Sequence, residues 1–237
     1  RKESSAASDV YKRQINDDAI EIYTDESRTE VAMVWRNVRQ QTAKREGVAN
    51  KCLADYIAPK FIDGKPSGIA DYIGLFAVTA GIGAEKKEAE FLSKLDDYNA
   101  IAFKGLADRL AEAFAEALHE RVRKDLWGYA ADEAFSNDEL IAEAYTGIRP
   151  APGYPSCPEH TIKREMFEVM DAAEIGMSLT DALAMVPAAS VSGFYFSHPQ
   201  SEYFNIGQID QDQLADLIER SGREEAEVKR ALAPLLG

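Results

Sequence analysis

One irregular segment, GIRPAPGYPSCPEH at 147–160, gathers an arginine, a tyrosine, a cysteine and a histidine among four prolines. Proline fixes φ and lacks an N–H, so this segment is neither a helix nor a central strand. Cys157 and His160 have the spacing of zinc ligands, but a zinc site needs three or four ligands. The remaining cysteine and histidines show no paired spacing: Cys52, His119 and His198. No metal site is therefore expected. Cys157 and His160 could form a nucleophile pair only if the loop held the thiol close to the imidazole.

Carboxylates four residues apart form a second candidate, at Asp108, Glu112 and Glu116. On a helix this spacing puts them on one face, roughly opposite an apolar stripe of the same helix. The stripe is formed by Phe103, Leu106, Leu110, Phe114, Leu118 and Val122. One interpretation of the acidic row is a solvated face. The other is a row of carboxylates that faces a cleft and a cationic ligand.

A glycine-containing turn, TAGIGAEKK at 79–87, stands between a predicted strand and a predicted helix. A dinucleotide-binding loop or a methyltransferase loop would lie at such a place. The third glycine is missing, and the acidic residue expected about 20 positions later would fall inside a helix. A flexible strand-to-helix turn is therefore favoured over a Rossmann-type site.

The overall composition narrows the class of protein. With 237 residues, 46% of them hydrophobic, the chain can bury a substantial core. Its formal net charge of −14 argues against binding to nucleic acid or to anionic membranes. No apolar run reaches membrane-spanning length. The two cysteines are too few for a disulfide framework, which indicates a cytoplasmic, reduced protein.

Hydrophobic periodicity predicts the elements that must position these residues. IEIY (20–23) and TEVAMVW (29–35) predict a β-hairpin, and ADYIGLFAVTAG (70–81) predicts a buried strand. Two further strands around a turn are predicted within 189–209. Helices are predicted at 36–46, 49–59, 85–127, 137–145, 162–174, 179–185 and 211–220, with a last helical segment at 224–234. Because strands come in hairpins, the predicted class is α+β, a twisted antiparallel sheet with long flanking helices.

The proline-rich segment resembles the signature of one family, the C-terminal activation domain of cobalamin-dependent methionine synthase. The long helix at 96–130 and the late hairpin at 187–213 are similar to the same family. DDAIEIYTDESR (17–28), CLADYIAP (52–59) and DYIGLFAVTAG (71–81) also fit. The likeness runs from about residue 15 to the C-terminus, which predicts a single activation domain over 15–237.

The resemblance implies a repair function. The full enzyme transfers methyl groups from methyltetrahydrofolate to homocysteine through cobalamin, which is occasionally oxidised to inactive cob(II)alamin. The activation domain then binds S-adenosylmethionine, whose methyl group, with an electron usually supplied by flavodoxin in bacteria, restores methylcobalamin. This sequence has no counterpart of the family's modules for homocysteine, folate and cobalamin. It also lacks their zinc ligands and the histidine that binds cobalt. The implied partners are therefore the cobalamin-binding module and a flavodoxin-type reductase, and this chain alone is not expected to turn over.

The resemblance also assigns ligand-binding residues. The family's arginine and its glycine-tyrosine pair match Arg149, Gly153 and Tyr154. Its helix carboxylate matches Glu112, with Asp108 one turn earlier, and its late aromatic pair matches Tyr203 and Phe204. A further family carboxylate lies upstream of the hairpin at 20–35, where this chain carries an unrelated lead-in.

The assigned residue types suit S-adenosylmethionine. Arg149 can hold its carboxylate through two parallel charge-assisted hydrogen bonds. Glu112 can meet the ammonium, and the rings of Tyr154 and Tyr203 can attract the sulfonium. The prolines stiffen the loop, which lowers the entropic cost of binding. No catalytic side chain is expected, since the sulfonium is already an activated methyl donor.

Three further expectations concern the ends and the surface of the chain. Residues 1–14, RKESSAASDVYKRQ, show no helical or strand period and are predicted to be a disordered or non-native lead-in. The basic run His119–Lys124 predicts a docking patch for an acidic reductase or, equally, a solvated helix end. The alternative function is a stand-alone S-adenosylmethionine-binding or interaction module without methyl transfer.

Overall fold

The computed structural model describes residues 18–236 in full and the backbone of Ser4–Asp9. The strands are β1 (Ser4–Asp9), β2 (Ala19–Tyr23), β3 (Val31–Arg36), β4 (Phe61–Ile62), β5 (Lys65–Pro66), β6 (Tyr72–Thr79), β7 (Ser178–Leu179), β8 (Met185–Val186) and β9 (Ser190–Tyr195). The helices are α1 (Ala84–Leu92), α2 (Asp97–Arg121), α3 (Asn137–Ile141), α4 (Lys163–Met170), α5 (Gln211–Ser221) and α6 (Glu225–Ala231). Within these described ranges, no helix is both long and apolar enough to cross a membrane.

The main sheet has the strand order β3-β2-β1-β6-β9. Its pairings β3-β2, β2-β1 and β1-β6 are antiparallel. Two small antiparallel ribbons, β4-β5 and β7-β8, stand apart from it. The predicted α+β class with an antiparallel sheet is confirmed.

The predicted hairpin is confirmed as β2-β3. Ile20 and Ile22 are fully buried and lie opposite Trp35 and Met33, so that the apolar residues of both strands share one face. The Trp35 ring stacks on Phe194 with centroids 3.8 Å apart and an interplanar angle of 7°. This aromatic pair anchors the hairpin to the end of β9.

The chain divides into two compact units. Unit 1 comprises Arg1–Gly74, Gly147–Ile162 and Phe194–Gly237. Unit 2 comprises Leu75–Thr146 and Lys163–Gly193. The proline-rich segment therefore lies in unit 1, and the long helix α2 lies in unit 2.

The C-terminal helices close a core of unit 1. Gly222 ends α5 in the left-handed conformation at φ 63°, as its position in the sequence predicts. The buried core of this region consists of Val38, Ile206, Ile209, Leu214, Leu217, Val228, Leu232 and Leu235. Phe204 is partly buried against this cluster, so it contributes to packing.

In unit 2 the predicted helix at 85–127 is two helices, α1 and α2. Leu95 adopts a positive φ of 57°, and the Asp96 side chain accepts a hydrogen bond from Asn99 N–H as the N-cap of α2. A short π-helical segment, Val122–Leu126, follows α2. The cap explains the break, because an aspartate before a helix satisfies N–H groups that have no intrahelical acceptor.

Helix α2 leaves the middle of its predicted apolar stripe exposed. The described residues that it buries are Ala100, Ala107, Ala111, Ala115 and His119. Leu106, Leu110 and Phe114 are instead 58%, 54% and 50% exposed. Leu106, Leu110 and Phe114 each precede a buried alanine by one position, which places them about 100° away from it around the helix axis. The buried face is therefore lined by small side chains, and larger apolar groups lie beside it.

The predicted helix at 36–46 is wrong. After β3 the backbone is irregular, and Asn37 N–H donates to the Asp18 carbonyl. The Arg39 guanidinium donates to both Asp18 and Asp55, at 2.6 Å from Nη2 in each case. These contacts with residues distant in sequence outweigh a helix preference that is weak on its own.

Three other segments also differ from their predicted structure. The predicted helix at 49–59 is a single 3-10 turn, Leu53–Tyr56. The predicted helix at 179–185 lies in the ribbon β7-β8, closed by a hydrogen bond from Thr180 N–H to the Ala184 carbonyl. The predicted hairpin at 189–209 contributes one strand, β9, to the described sheet. Short apolar runs do not distinguish helix from strand without their tertiary neighbours.

The N-terminal residues include a strand. Ser4–Asp9, part of the segment predicted as a lead-in, pair with β2 and with β6. The proposal that residues 1–14 are non-native in origin stays a prediction.

Candidate functional site

The proline-rich segment is fixed to the rest of unit 1 through its backbone. Ile148 and Phe196 exchange two hydrogen bonds, with N–O distances of 3.1 and 3.0 Å. Phe194 N–H donates to the Pro150 carbonyl at 2.9 Å, and Ile206 N–H donates to the Pro155 carbonyl at 3.0 Å. These contacts hold the segment at both ends of its irregular part, which agrees with the predicted stiff loop.

Between these anchors the chain forms a tight turn at 151–157. Gly153 N–H donates to the Cys157 carbonyl at 2.7 Å, and Cys157 N–H donates to the Tyr154 carbonyl at 2.9 Å. Gly153 has a φ of 100°, a backbone conformation that residues with a Cβ rarely adopt. The Cys157 side chain is 4% exposed. Such burial does not suit a nucleophile, since reactive cysteines are at least partly accessible.

Arg149 precedes this turn and is half-buried. Its backbone N–H donates to the Tyr203 hydroxyl at 3.0 Å. Tyr203 is 44% exposed and Tyr154 is 59% exposed, so both rings retain accessible surface. Tyr203 therefore has a role that the sequence did not indicate, because its hydroxyl orients the backbone of the arginine.

The predicted site residues lie in both units. Unit 1 contains Arg149, Gly153, Tyr154, Tyr203 and Phe204. Asp108 and Glu112 belong to α2 of unit 2, one turn apart, and both are exposed. The two carboxylates thus lie on a solvent-accessible helix face, and their part in ligand binding stays a prediction.

The basic run His119–Lys124, which begins in the last turn of α2, is not an exposed cationic patch. His119 and Arg123 are both 0% exposed. Arg123 donates from Nε and Nη2 to the two carboxylate oxygens of Glu133, at 2.7 Å each. Its guanidinium lies 3.7 Å from the centroid of the Tyr145 ring. The docking prediction is therefore wrong for His119 and Arg123.

The buried cluster around Arg123 has no signal in the sequence. Arg123 lies in the π-helical segment, and Glu133 lies ten residues later in an irregular segment. Tyr129 lies in the same region, and burial raises its pKa. Tyr129, Glu133 and Thr146 also line a small cleft of about 290 Å³ in unit 2. In the basic run, Arg121 is exposed, and Lys124 is half-buried and paired with Glu120 at 3.5 Å.

These features define an α+β domain in which backbone hydrogen bonds hold a proline-rich arginine-glycine-tyrosine loop. A family model described as "Vitamin B12 dependent methionine synthase, activation domain" matches residues 2–222. The chain therefore belongs to this family and is part of a methyltransferase, as the resemblance predicts. It is also similar to the crystal structure of the MetH reactivation domain bound to AdoHcy, with 53% sequence identity and a TM-score of 0.90. The similarity covers 99% of this chain and 69% of the other.

Proposed function

We propose that this chain binds S-adenosylmethionine for the reductive remethylation of oxidised cobalamin in methionine synthase. In the full enzyme this repair would support methyl transfer from methyltetrahydrofolate to homocysteine. The observation that carries the proposal is the fixed loop from Arg149 to Tyr154. The similar reactivation domain, solved with S-adenosylhomocysteine, supports the same ligand class.

The residues of unit 1 fit such a ligand. Arg149 offers a planar guanidinium on a backbone held by Tyr203, which suits the two oxygens of a carboxylate. Gly153 has no side chain and is exposed, so a ligand can approach its backbone closely on the exposed surface. The exposed rings of Tyr154 and Tyr203 can attract a sulfonium. When bound, S-adenosylmethionine supplies a methyl group that needs no further activation, so the loop has only to bind and orient it.

The proposed partners are the cobalamin-binding module of the same enzyme and a flavodoxin-type reductase. Cobalamin and zinc would be held by the other modules. An acidic reductase would be repelled by a chain of formal net charge −14. Productive docking therefore requires a local cationic group on this chain. Of the basic run, Arg121 is the exposed member. Cys52 and Cys157 are both buried thiols, which agrees with a cytoplasmic location.

We expect calorimetry to detect binding of S-adenosylmethionine and S-adenosylhomocysteine to the purified chain. 5′-Methylthioadenosine, which lacks the amino-acid moiety, should bind at least about tenfold more weakly, because Arg149 loses its carboxylate partner. Homocysteine and methyltetrahydrofolate should yield no methionine with this chain alone. Equal affinity for S-adenosylhomocysteine and 5′-methylthioadenosine would contradict the assigned role of Arg149, and undetectable binding of all three ligands would overturn the proposed function.

A reactivation assay separates the repair module from a stand-alone binding module. The chain, inserted as the activation domain of a full-length methionine synthase, should restore activity after cobalamin oxidation when S-adenosylmethionine and a reductant are present. Ligand binding without restored activity would favour the stand-alone binding module.

Tyr203→Phe should weaken S-adenosylhomocysteine binding by about 0.5–1.5 kcal/mol, the usual net value of one hydrogen bond. The change removes the acceptor of Arg149 N–H and retains the ring. Tyr98→Phe is a matched control, since Tyr98 is 79% exposed on α2 of unit 2. If Tyr203→Phe binds like wild type while Tyr203→Ala does not, the ring rather than the hydroxyl carries the role of this residue.

A further inference from the structure

The His160 side chain lies directly against Gly153. A Cβ built on Gly153 would be 2.2 Å from His160 Cε1 and 2.7 Å from Nε2, far inside van der Waals contact. The imidazole therefore occupies the space that any other residue at position 153 would need. Gly153 suits its φ of 100°, and a Cβ at this position would require the His160 imidazole to move.

The segment that carries His160 is itself held. Arg223 forms an ion pair with Glu159 at 2.6 Å and donates to the Thr161 hydroxyl at 2.8 Å. Arg223 directly follows Gly222, the residue that ends α5. Both neighbours of His160 are thus tied to one arginine, which limits the movement of the imidazole away from Gly153.

We propose that His160 is a positioning residue that holds Gly153, and with it the loop from Arg149 to Tyr154, in the conformation that binds S-adenosylmethionine. The inference rests on the proposed function. In this arrangement the imidazole touches the loop backbone, and its effect on the ligand is indirect. Holding the loop before binding reduces the ordering cost that the ligand must otherwise supply.

His160→Ala should weaken S-adenosylhomocysteine binding about tenfold, the order expected when one ordered contact of a binding loop is released. His160→Phe keeps a planar ring at the same place and should recover most of that loss. His198→Ala is the matched control, a histidine of unit 1 whose ring lies near Tyr56 instead. Thermal unfolding of all three variants should show that the fold persists. Binding of His160→Ala at the wild-type affinity, or of His160→Phe as weakly as His160→Ala, would overturn the proposal.

A double-substitution experiment tests the contact itself. Gly153→Ala should weaken binding strongly in the wild-type background, because its Cβ meets the imidazole and its φ becomes strained. In the His160→Ala background the steric part disappears, so Gly153→Ala should cost at least about threefold less in affinity. Losses that simply multiply would show that the two residues act independently.

The same pair separates this inference from the proposed function. Urea unfolding of the wild type, the two single variants and the double variant measures the coupling without any ligand. Gly153→Ala should lower the free energy of unfolding more in the wild-type background than in the His160→Ala background. Coupling in stability without S-adenosylhomocysteine binding by the wild type would reject the proposed function and, with it, the positioning role. Binding by the wild type without coupling in either measurement would reject the positioning role alone.

Discussion

Arg149→Ala is expected to weaken S-adenosylmethionine binding by about 2–4 kcal/mol, the range for removing one side of a desolvated charged pair. Arg149→Lys should lose nearly as much. A lysine keeps the positive charge, but its ammonium cannot present the two parallel donors that match a carboxylate. Calorimetry with S-adenosylmethionine and S-adenosylhomocysteine measures both variants directly.

The fold should survive these changes. The hydrogen bonds that anchor the loop run through the backbone of Ile148, Pro150 and Pro155. Arg45→Ala is a suitable control, because Arg45 is an exposed arginine of the same unit. A lysine variant that binds like wild type would show that Arg149 is not the carboxylate clamp, and the ligand orientation in this loop would have to be reassigned.

Arg123→Met is expected to destabilise the protein by about 3–5 kcal/mol, the cost of breaking a buried ion pair from one side. The substitution leaves the Glu133 carboxylate, 4% exposed, without its bidentate partner. It also removes the guanidinium from the Tyr145 ring. Urea unfolding followed by circular dichroism measures the loss.

Two further variants identify the cause. Arg121→Met changes an exposed arginine in the same turn and should stay within about 0.5 kcal/mol of wild type. Arg123→Met combined with Glu133→Leu removes both charges and should recover much of the stability, since a well-packed apolar pair can replace a buried ion pair. Equal stability of Arg121→Met and Arg123→Met would mean that the buried pair contributes little.

This result bears on any study of reductase docking. A reactivation defect in Arg123→Glu would report a damaged unit 2, because the variant places a second carboxylate beside Glu133 in a buried site. Arg121→Glu is the informative variant for docking, since Arg121 is exposed. It should slow reductive reactivation of the full-length enzyme while leaving S-adenosylmethionine affinity unchanged.

The sequence correctly predicted those elements whose conformation depends on neighbouring residues in the chain. Alternation of Ile20 and Ile22 against polar neighbours predicts the hairpin β2-β3, because a strand exposes opposite faces in turn. Ser136 and Glu139 form the capping box that begins α3. The prolines and glycines of 147–160 predict a stiff loop without knowledge of its neighbours. The α+β class follows from such local patterns, whereas the family follows from the resemblance of longer motifs.

Only the tertiary structure decided which side of a helix is buried and which charges are paired. The stripe containing Leu106, Leu110 and Phe114 has the spacing of a core-facing helix side, yet α2 buries the adjacent alanines. From the sequence Arg123 is predicted to be a surface cation, but in the fold it is buried against Glu133 and Tyr145. The proximity of His160 to Gly153 and the contacts of Arg223 with Glu159 and Thr161 are likewise visible only in the fold. Periodicity defines faces, whereas burial and pairing depend on partners distant in sequence, and the short-range pattern carries no information about those partners.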